Sequence, residues 1–561
     1  MSELLTHEIA APTAKVAGEP KEVHTGRLEA VTGPLDMQAY VDDFNTSVVD
    51  AYRRGVADRE LPSEQGVARS VIPPGTAAAR DFSGLAPTIP EFVLDACVGC
   101  MTCVSACPDS AIYAIAQPAA VVDQAIDGFA AAEKDPVLAA RTARGHFAKT
   151  TKYGDVPARR GLPPADFGLF IDPAHCKGCA ECVEVCQALG YDALRMIPKQ
   201  PLEATGESTV DRYRRDVRFL RTLPPTPPEY RNERALADLM LGEHAFGYVG
   251  GAGSCSGCGE ATAIRMAVAA TRQIHGPESM AVVAATGCNT VFGSTYPYNP
   301  FLLPWTNSLF ENAAAVALGI RARWEQEGSP DRRLWVFGGD GAMYDIGFQA
   351  LSRLVASGAD VKVLVLDTQV YSNTGGQAST ASFGGQVTKL SAFGHDVHGR
   401  PEPRKELGRI LLAHGNAYVA QTTPAHINHF YRAVMEANVY PGPAVVIAYT
   451  ACMPEHGIGD DAATRQSKLA VDSRAFPLFT FDPRRGDTIA ERLSLQGNPA
   501  LREDWPSLPD GTPVDFLTFA RSESRFAPHF AADGSATAEI LATKADRLAN
   551  WRTLQELAGL R

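Results

Sequence analysis

Twelve cysteines carry most of the chemistry open to this chain. Eight fall in two blocks of identical spacing. Cys97, Cys100, Cys103 and Cys107 precede Pro108; Cys176, Cys179, Cys182 and Cys186 precede Gln187. The pattern C-x2-C-x2-C-x3-C sets three thiolates on one tight loop, enough for three corners of an iron–sulfur cubane. The fourth cysteine of each block is expected to start a helix that points away and to ligate the other cluster. One [4Fe–4S] cluster would then use Cys97, Cys100, Cys103 and Cys186, and a second Cys176, Cys179, Cys182 and Cys107. Zinc is the competing metal, but it normally takes paired C-x2-C arms. The proline missing after Cys186 affects a turn, not a ligand.

The other four cysteines are dispersed. Cys255 and Cys258 lie in GSCSGCGE, while Cys288 and Cys452 each follow a short strand-like run. Gathered at one edge of a sheet, they could hold a third [4Fe–4S] cluster, with structural zinc or buried free thiols as alternatives.

A further constellation is built from oxygens. RLWVFG runs into Gly339-Asp340-Gly341, and VKVLVL, after a helical stretch (345–357), runs into Asp367-Thr368-Gln369-Val370. A right-handed crossover sets the two strands parallel and adjacent, so both loops lie at the carboxyl edge where open α/β sheets bind ligands. Asp340, the Thr368 hydroxyl and the Val370 carbonyl could give magnesium three hard ligands, the rest coming from a diphosphate. Gly339 and Gly341 let the backbone approach that group. The polar loop Tyr371-Ser372-Asn373-Thr374-Gly375-Gly376-Gln377 suits the cover of a bound ring. A lone Gly-Asp-Gly is an ordinary turn; the second loop and the neighbouring cysteines point to a cofactor.

The elements that must position these groups are short β-branched runs alternating with helical stretches from about residue 232 to 450: 281–286, 333–338, 361–367, 417–422 and 444–450. They predict βαβ units and a doubly wound parallel sheet, preceded by a bacterial two-[4Fe–4S] ferredoxin-like domain. The expected organisation is an N-terminal arm (1–90), the ferredoxin-like domain (91–200), an extended Pro-rich linker (201–232), the cofactor domain with the third cluster (233–470) and a tail (471–561). Short helices are expected around Met37–Arg54 and Leu61–Ala68, and another over Ala538–Leu557. The stretch 117–169 between the cysteine blocks is expected on the surface.

Together the motifs resemble the pyruvate:ferredoxin oxidoreductases, from about Leu61 to Phe479. The resemblance rests on the double cysteine block, GSCSGCGE, ATGCN, PWTNSLFENAA, FGGDGAMYDIGFQAL, VLDTQVYSNTGGQAST and YTACMPEHG. It implies thiamine diphosphate with Mg2+, three [4Fe–4S] clusters and coenzyme A as co-substrate. By it, Cys255, Cys258, Cys288 and Cys452 bind the cluster nearest the cofactor, and Glu260 and Cys288 touch thiamine diphosphate. Gly339, Asp340, Gly341 and Ala342 take the diphosphate; Asp340, Thr368 and Val370 hold magnesium. Gln369, Tyr371 and Ser372 fall in the cofactor loop, and Asn373 faces the reacting group. YSNTGGQ looks like the pyruvate branch rather than the 2-oxoglutarate branch. The family's activating glutamate and its grip on the substrate carboxylate have no matching position here. A second subunit carrying the pyrimidine-binding and coenzyme A regions is therefore expected, in a hetero-oligomer that reduces ferredoxin or flavodoxin. A 2-oxoglutarate enzyme, or an electron-relay subunit without thiamine chemistry, is the alternative.

Bulk properties narrow the field. The 561 residues carry 52 Lys and Arg against 64 Asp and Glu, a net charge of −12. Nucleic-acid binding needs a basic face and is not expected. No apolar run reaches the roughly 20 residues that span a bilayer, and the N-terminus lacks a signal-peptide layout. The chain reads as soluble and cytoplasmic, where thiols stay reduced and disulfides are not expected. The histidines, His395, His398 and His456 among them, show no metal spacing and are expected in surface or local hydrogen-bonding roles.

Overall fold

A computed structural model of the chain describes residues 37–61, 72–202, 207–232, 234–242, 245, 247–391 and 398–561. It divides into two units, Met1–Val71 and Ile72–Arg561. In the first, a helical run covers Met37–Asp43, Phe44–Val49 and Asp50–Arg53, its middle piece wound as π-helix. The helix expected over Leu61–Ala68 lies, beyond Leu61, outside the described residues.

The second unit holds the chemistry-bearing segments. Its strands are β1 (Thr88–Phe92), β2 (Ile112–Pro118), β3 (Phe147–Ala148), β4 (Ala165–Ile171), β5 (Leu194–Pro198), β6 (Pro201–Leu202) and β7 (Glu207–Ser208), followed by β8 (Met280–Ala285), β9 (Trp305–Ser308), β10 (Arg333–Gly339), β11 (Lys362–Asp367), β12 (Tyr418–Thr422), β13 (Ala444–Tyr449), β14 (Phe479–Phe481) and β15 (Leu493–Ser494). The main sheet has the order β15-β14-β12-β13-β11-β10-β8-β9. Its six strands from β8 to β13 are parallel, and β14 and β15 extend one edge antiparallel.

The sequence explains this sheet. Every residue of β8, β11 and β13 is buried, as expected of a parallel sheet covered on both faces. Successive side chains go to opposite faces. Val282, Ala284, Trp335, Phe337, Leu364 and Leu366 enter the core shared with helices Gly259–His275 and Ile427–Val439. Val283, Ala285, Leu334, Val336, Val363 and Val365 enter the core on the other face, with helices Ala313–Gln326 and Phe348–Ser357.

Three expectations are corrected. First, the stretch between the cysteine blocks is not surface decoration. It forms β3, β4 and helices Ala119–Ala131 and Pro136–Arg144, and β4 is buried at every residue. Its Tyr153 stacks on Phe167 at 5.1 Å, and its Lys152 donates to the Gly99 carbonyl inside the first cysteine loop. The signal was present in ADFGLFI, an apolar run too long for a surface loop. Second, residues 201–232 are not wholly extended, because Thr209–Leu220 is a helix that buries Tyr213, Val217 and Phe219. Third, residues after 470 do not form a tail. They supply β14 and β15, and Trp551 of helix Ala538–Leu557 packs in the main core. No helix among the described residues is long and apolar enough to cross a membrane.

Candidate active site and cluster sites

Each cysteine block folds into the same loop. Gly99 and Met101 in the first, and Gly178 and Ala180 in the second, all adopt left-handed backbone with φ between 67° and 70°. In the first block such turns between successive cysteines leave Cys97, Cys100 and Cys103 lining one cavity. Met101 and Ala180 lack glycine's freedom, and strain of about 1–2 kcal/mol at each is held by the surrounding packing, as at other functional sites. Glycine is required at 99 and 178: a Cβ there would stand 2.7 Å from the Tyr153 ring and 2.5 Å from Ala86.

The fourth cysteines correct one expectation. Cys107 ends helix Thr102–Ala106 and Cys186 lies inside helix Glu181–Ala188, so neither starts a helix. The helix instead carries each thiol across to the other block. Cys186 joins Cys97, Cys100 and Cys103 around a cavity of about 380 Å³. Cys107 is electrostatically coupled to Cys179 and Cys182 of the second block. Burial raises the Cys103, Cys179 and Cys182 thiols well above their ordinary range, and neighbouring thiols add to the effect. Burial likewise pushes Cys97 up to about 11 and Cys176 to about 12. Holding such sets as thiolates requires a cationic centre among them, which an iron–sulfur cubane supplies. Among the described residues, no three His, Cys, Asp or Glu side chains converge on the point that a single ion would occupy.

The strand carboxyl ends bring the other groups together. One cavity of about 680 Å³ is lined by Cys255, Cys258, Cys288, Cys452, Glu260, Thr368, Ser372 and Asn373. Cys258 and Cys452 are the N-caps of helices Gly259–His275 and Met453–His456, and Cys288 opens helix Cys288–Gly293. Helix N-termini favour thiolates. Burial nevertheless raises Cys258 and Cys288 well above the usual range and Cys452 to about 11, so without a bound cation these groups stay protonated.

The GSCSGCGE run makes this convergence possible. The Gly259 amide donates to the Ala451 carbonyl at 3.2 Å. A Cβ at Gly259 would lie 2.6 Å from the Ala451 backbone nitrogen, and one at Gly257 would lie 2.0 Å from the Asp460 carbonyl. Gly259→Ala is therefore expected to separate Cys258 from Cys452 and to cost about 1–3 kcal/mol, the range for overpacking. Iron content and thermal unfolding would read this; unchanged values for both would refute it.

Asp340 and the loop after β11 also converge. Asp340 is buried; its carboxylate accepts from the Thr368 amide (3.2 Å) and the Ser379 hydroxyl (2.7 Å). Thr368 Oγ1 lies 3.0 Å from the Val370 carbonyl and accepts from Ser372 at 2.7 Å. Three oxygens of the kind magnesium prefers thus share one neighbourhood. Burial, then Asp367, raises the Asp340 carboxyl well above its ordinary value. At Gly339 and Gly341 an added Cβ would make only ordinary contacts. The protein's own packing does not demand glycine there, which leaves backbone bare for a ligand, with Ala342 buried behind. Gly338, next to them, is closely packed: its Cβ would meet the Met343 methyl at 2.5 Å and the Ala342 Cβ at 3.0 Å.

The remaining cofactor-loop residues separate. Tyr371 lies beside Gly341 and bonds Asp345 through its hydroxyl. Asn373 is exposed at the cavity. Glu260 is buried, and its Oε2 finds no hydrogen-bond partner among the described residues; burial lifts its carboxyl to about 8. Gln369 takes a bracing position. Its backbone is left-handed (φ 61°), its carbonyl accepts from Ser382 (2.6 Å) and Gln386 (3.0 Å), and its side chain turns to Arg525 at 2.7 Å. It braces the loop and does not line the cavity.

Several supporting residues carry no local signature in sequence. His456 is fully buried, with Nε2 2.7 Å from the Thr368 carbonyl and Nδ1 accepting from the Cys452 amide at 3.4 Å. It joins the Asp340–Thr368 loop to a cavity cysteine, a local hydrogen-bonding role as expected; His395 lies outside the described residues. Lys177, inside the second cysteine block, donates to Asp109 (2.6 Å) and to the carbonyl and hydroxyl of Ser254 (2.7 and 3.0 Å). It pins that block to the residue before Cys255.

A parallel sheet with this carboxyl-edge cavity, joined to a double cysteine loop, combines a thiamine-diphosphate-binding type of domain with a ferredoxin-like one. Residues 285–448 match the family described as "Thiamine pyrophosphate enzyme, C-terminal TPP binding domain", and residues 90–113 match "4Fe-4S binding domain". Over most of its length the chain is a homologue of the pyruvate-flavodoxin and pyruvate:ferredoxin oxidoreductases. It is 30% identical over 527 residues to the Escherichia coli (strain K12) protein described as "Probable pyruvate-flavodoxin oxidoreductase", covering 82% of this chain and 41% of that one. It is 28% identical over 610 residues to the pyruvate-flavodoxin oxidoreductase of Rhodospirillum rubrum, covering 94% and 46%. With the pyruvate:ferredoxin oxidoreductase of Moorella thermoacetica it shares 27% over 505 residues, covering 76% and 39%. The chain thus spans less than half the length of these relatives.

Proposed function

We propose that this chain is the cluster-bearing catalytic part of a coenzyme A-acylating 2-oxoacid oxidoreductase. Pyruvate is the substrate and a ferredoxin or flavodoxin the acceptor. Pyruvate, coenzyme A and two oxidised one-electron carriers give acetyl-coenzyme A, carbon dioxide, a proton and two reduced carriers; strongly reducing clusters make the reverse reaction accessible. The observation that carries this reading is the single cavity shared by Glu260, the Thr368 loop and four cysteines. When bound, thiamine diphosphate supplies the carbanion-stabilising chemistry and the clusters supply one-electron transfer.

In this reading Asp340, Thr368 and the Val370 carbonyl hold Mg2+ with the diphosphate. Gly339, Gly341 and Ala342 present backbone to it, while Tyr371 and Ser372 fix the loop. Glu260 keeps a proton to share with the cofactor, as its buried, unpartnered oxygen favours. Asn373 orients the substrate. Cys255, Cys258, Cys288 and Cys452 hold the cluster that receives electrons first. The Lys177–Ser254 link supports the Cys176, Cys179, Cys182 and Cys107 set as the next station. The Cys97, Cys100, Cys103 and Cys186 set is then the exit, since Val98 in its loop is 39% exposed.

The pyrimidine-activating carboxylate and the substrate-carboxylate grip are read as coming from a second subunit. Support comes from the exposed apolar side chains of Val291, which lines the cavity, and Phe310, which lies beside Gly341, since exposed apolar groups at a site mark surfaces that a partner covers.

The test is an anaerobic assay of the complex purified with its partner. Iron for three [4Fe–4S] clusters per chain, and acetyl-coenzyme A formed only with pyruvate, coenzyme A and an electron carrier, are expected. Turnover with 2-oxoglutarate alone would move the substrate and keep the mechanism. Clusters reducible by dithionite but by no 2-oxoacid would overturn the catalytic reading and leave an electron-relay subunit.

A further inference from the structure

Arg265 sits in the middle of helix Gly259–His275, which is buried along most of its length, and is itself 2% exposed. Its Nη2 donates to the carbonyls of Val104 and Ser105, the second at 2.6 Å, and its buried Nε has no hydrogen-bond partner among the described residues. Val104 and Ser105 belong to helix Thr102–Ala106, between Cys103 and Cys107. A helix that begins beside Cys258 thus reaches, about two turns further on, the place where Cys103 and Cys107 diverge to different cysteine sets.

The last carbonyls of a helix lack partners within it and need donors, but a neutral amide could supply those. The charge needs its own account. Taking a guanidinium out of water is costly unless an anion compensates it. Among the described residues no carboxylate pairs with Arg265: Asp109 is held by Lys177 at 2.6 Å, and Glu260 lines the cofactor cavity with its Oε2 unpartnered. The phenols that Arg265 acts on, Tyr113, Tyr248 and Tyr431, are pushed up by burial and stay neutral. The anion left to balance the cation is therefore on the cysteines. Burial raises the Cys107 thiol, and the Arg265 cation is the largest influence opposing that rise. A [4Fe–4S] cluster on four thiolates carries net negative charge and gains one more on reduction, so a buried cation beside it favours the reduced form.

We propose that Arg265 sets the reduction potential of the cluster on Cys176, Cys179, Cys182 and Cys107. Its unpaired, buried guanidinium holds that potential above the value the thiolates alone would give. This cluster is thereby the acceptor for the electron leaving the cluster on Cys255, Cys258, Cys288 and Cys452. The inference rests on the reading of both cysteine sets as cluster sites. Each transfer adds one electron to the accepting cluster and removes one from its donor, with no bond made or broken.

The test is an anaerobic redox titration of the full-length, cluster-loaded protein, followed by electron paramagnetic resonance. Arg265→Gln removes the charge and keeps a donor for a carbonyl. At a poise that half-reduces this cluster in the wild type, its ratio of reduced to oxidised form is expected to fall at least about tenfold, or about 59 mV for a one-electron couple. The midpoints of the other two clusters should stay in place. Arg265→Lys keeps the charge without the planar fork and should titrate with the wild type. Arg265→citrulline, introduced by nonsense suppression, keeps the shape and an NH2 for the two carbonyls but carries no charge. It should shift as glutamine does, and it reads the effect even where the glutamine variant loses iron. Unmoved midpoints in the neutral variants, a lysine variant shifted as far as they are, or an equal shift of all three clusters would overturn the proposal. If no cluster of the wild type can be reduced, the cluster reading itself fails and the proposal falls with it.

Discussion

Asp340→Asn is expected to lose Mg2+-dependent thiamine diphosphate binding while stabilising the protein in the absence of metal. The side chain is buried at the carboxyl end of β10 and accepts from Thr368 and Ser379. Asparagine has the same shape; its carbonyl oxygen can still accept from the Thr368 amide while its NH2 donates to the Ser379 hydroxyl, but it brings no charge to a cation. The loss of affinity should exceed the about 10–100-fold that removal of an outer-shell partner costs a metal site. The sign of the metal-free effect follows from burial. A carboxyl whose folded value is raised favours the protonated form in the fold, so the charged form at neutral pH destabilises it. That penalty grows as pH rises through the interval between the unfolded and folded values, and asparagine removes it. Thermal unfolding at pH 7 should show a higher midpoint for the metal-free variant and little further shift on adding Mg2+ with thiamine diphosphate. A variant that still gains the full ligand-induced shift would show that Asp340 does not hold the metal.

Lys177→Met is expected to cost about 3–5 kcal/mol, the penalty for breaking a buried ion pair from one side. Lys177 and Asp109 side chains are 2% and 3% exposed at 2.6 Å. Methionine fits the volume but leaves a buried carboxylate whose value burial already raises. It also removes both contacts to Ser254, the residue before Cys255. The second variant is the informative one: Lys177→Met/Asp109→Asn should recover much of the stability, because neither charge is then stranded. Electron transfer between the Cys255-containing set and the Cys176-containing set should stay impaired in the double variant, since the Ser254 contacts are still missing. Unfolding in denaturant and freeze-quench cluster spectra after substrate addition would separate the two effects. Equal stability of the single and double variants would remove the ion pair as the explanation.

How much of this was legible in sequence depends on how local each feature is. The five expected parallel strands and helix Ala538–Leu557 stand where their apolar patterns place them, because a run of Val, Ala and Leu buried on both faces reads the same in any surroundings. The cysteine blocks were legible as loops, since their turns are set within seven residues. The short strand β9 was missed: PWTNS is half polar and pairs only because it lies beside β8. The strands β14 and β15 were missed for the same reason, three and two residues respectively that gain their order from β12.

Side-chain direction was the least legible. Gln369 sits among cofactor-loop residues in sequence, yet its left-handed backbone and the reach of Arg525 from 156 positions away turn it outward from the cavity. Lys177, His456 and Arg265 look like ordinary polar residues. Each becomes a strut between loops because distant carbonyls and carboxylates come within 3 Å of it.

By itself, then, the sequence determined the features fixed by short-range geometry: the two cysteine loops, the alternating strands and helices, and the pairing of a Gly-Asp-Gly turn with a second polar loop one crossover later. Only the tertiary structure decided that the four dispersed cysteines share one cavity and that the stretch between the cysteine blocks is core rather than ornament. Those outcomes depend on contacts between residues tens to hundreds of positions apart, whose direction is set by packing and hydrogen bonding across the whole fold rather than by any residue's own preference.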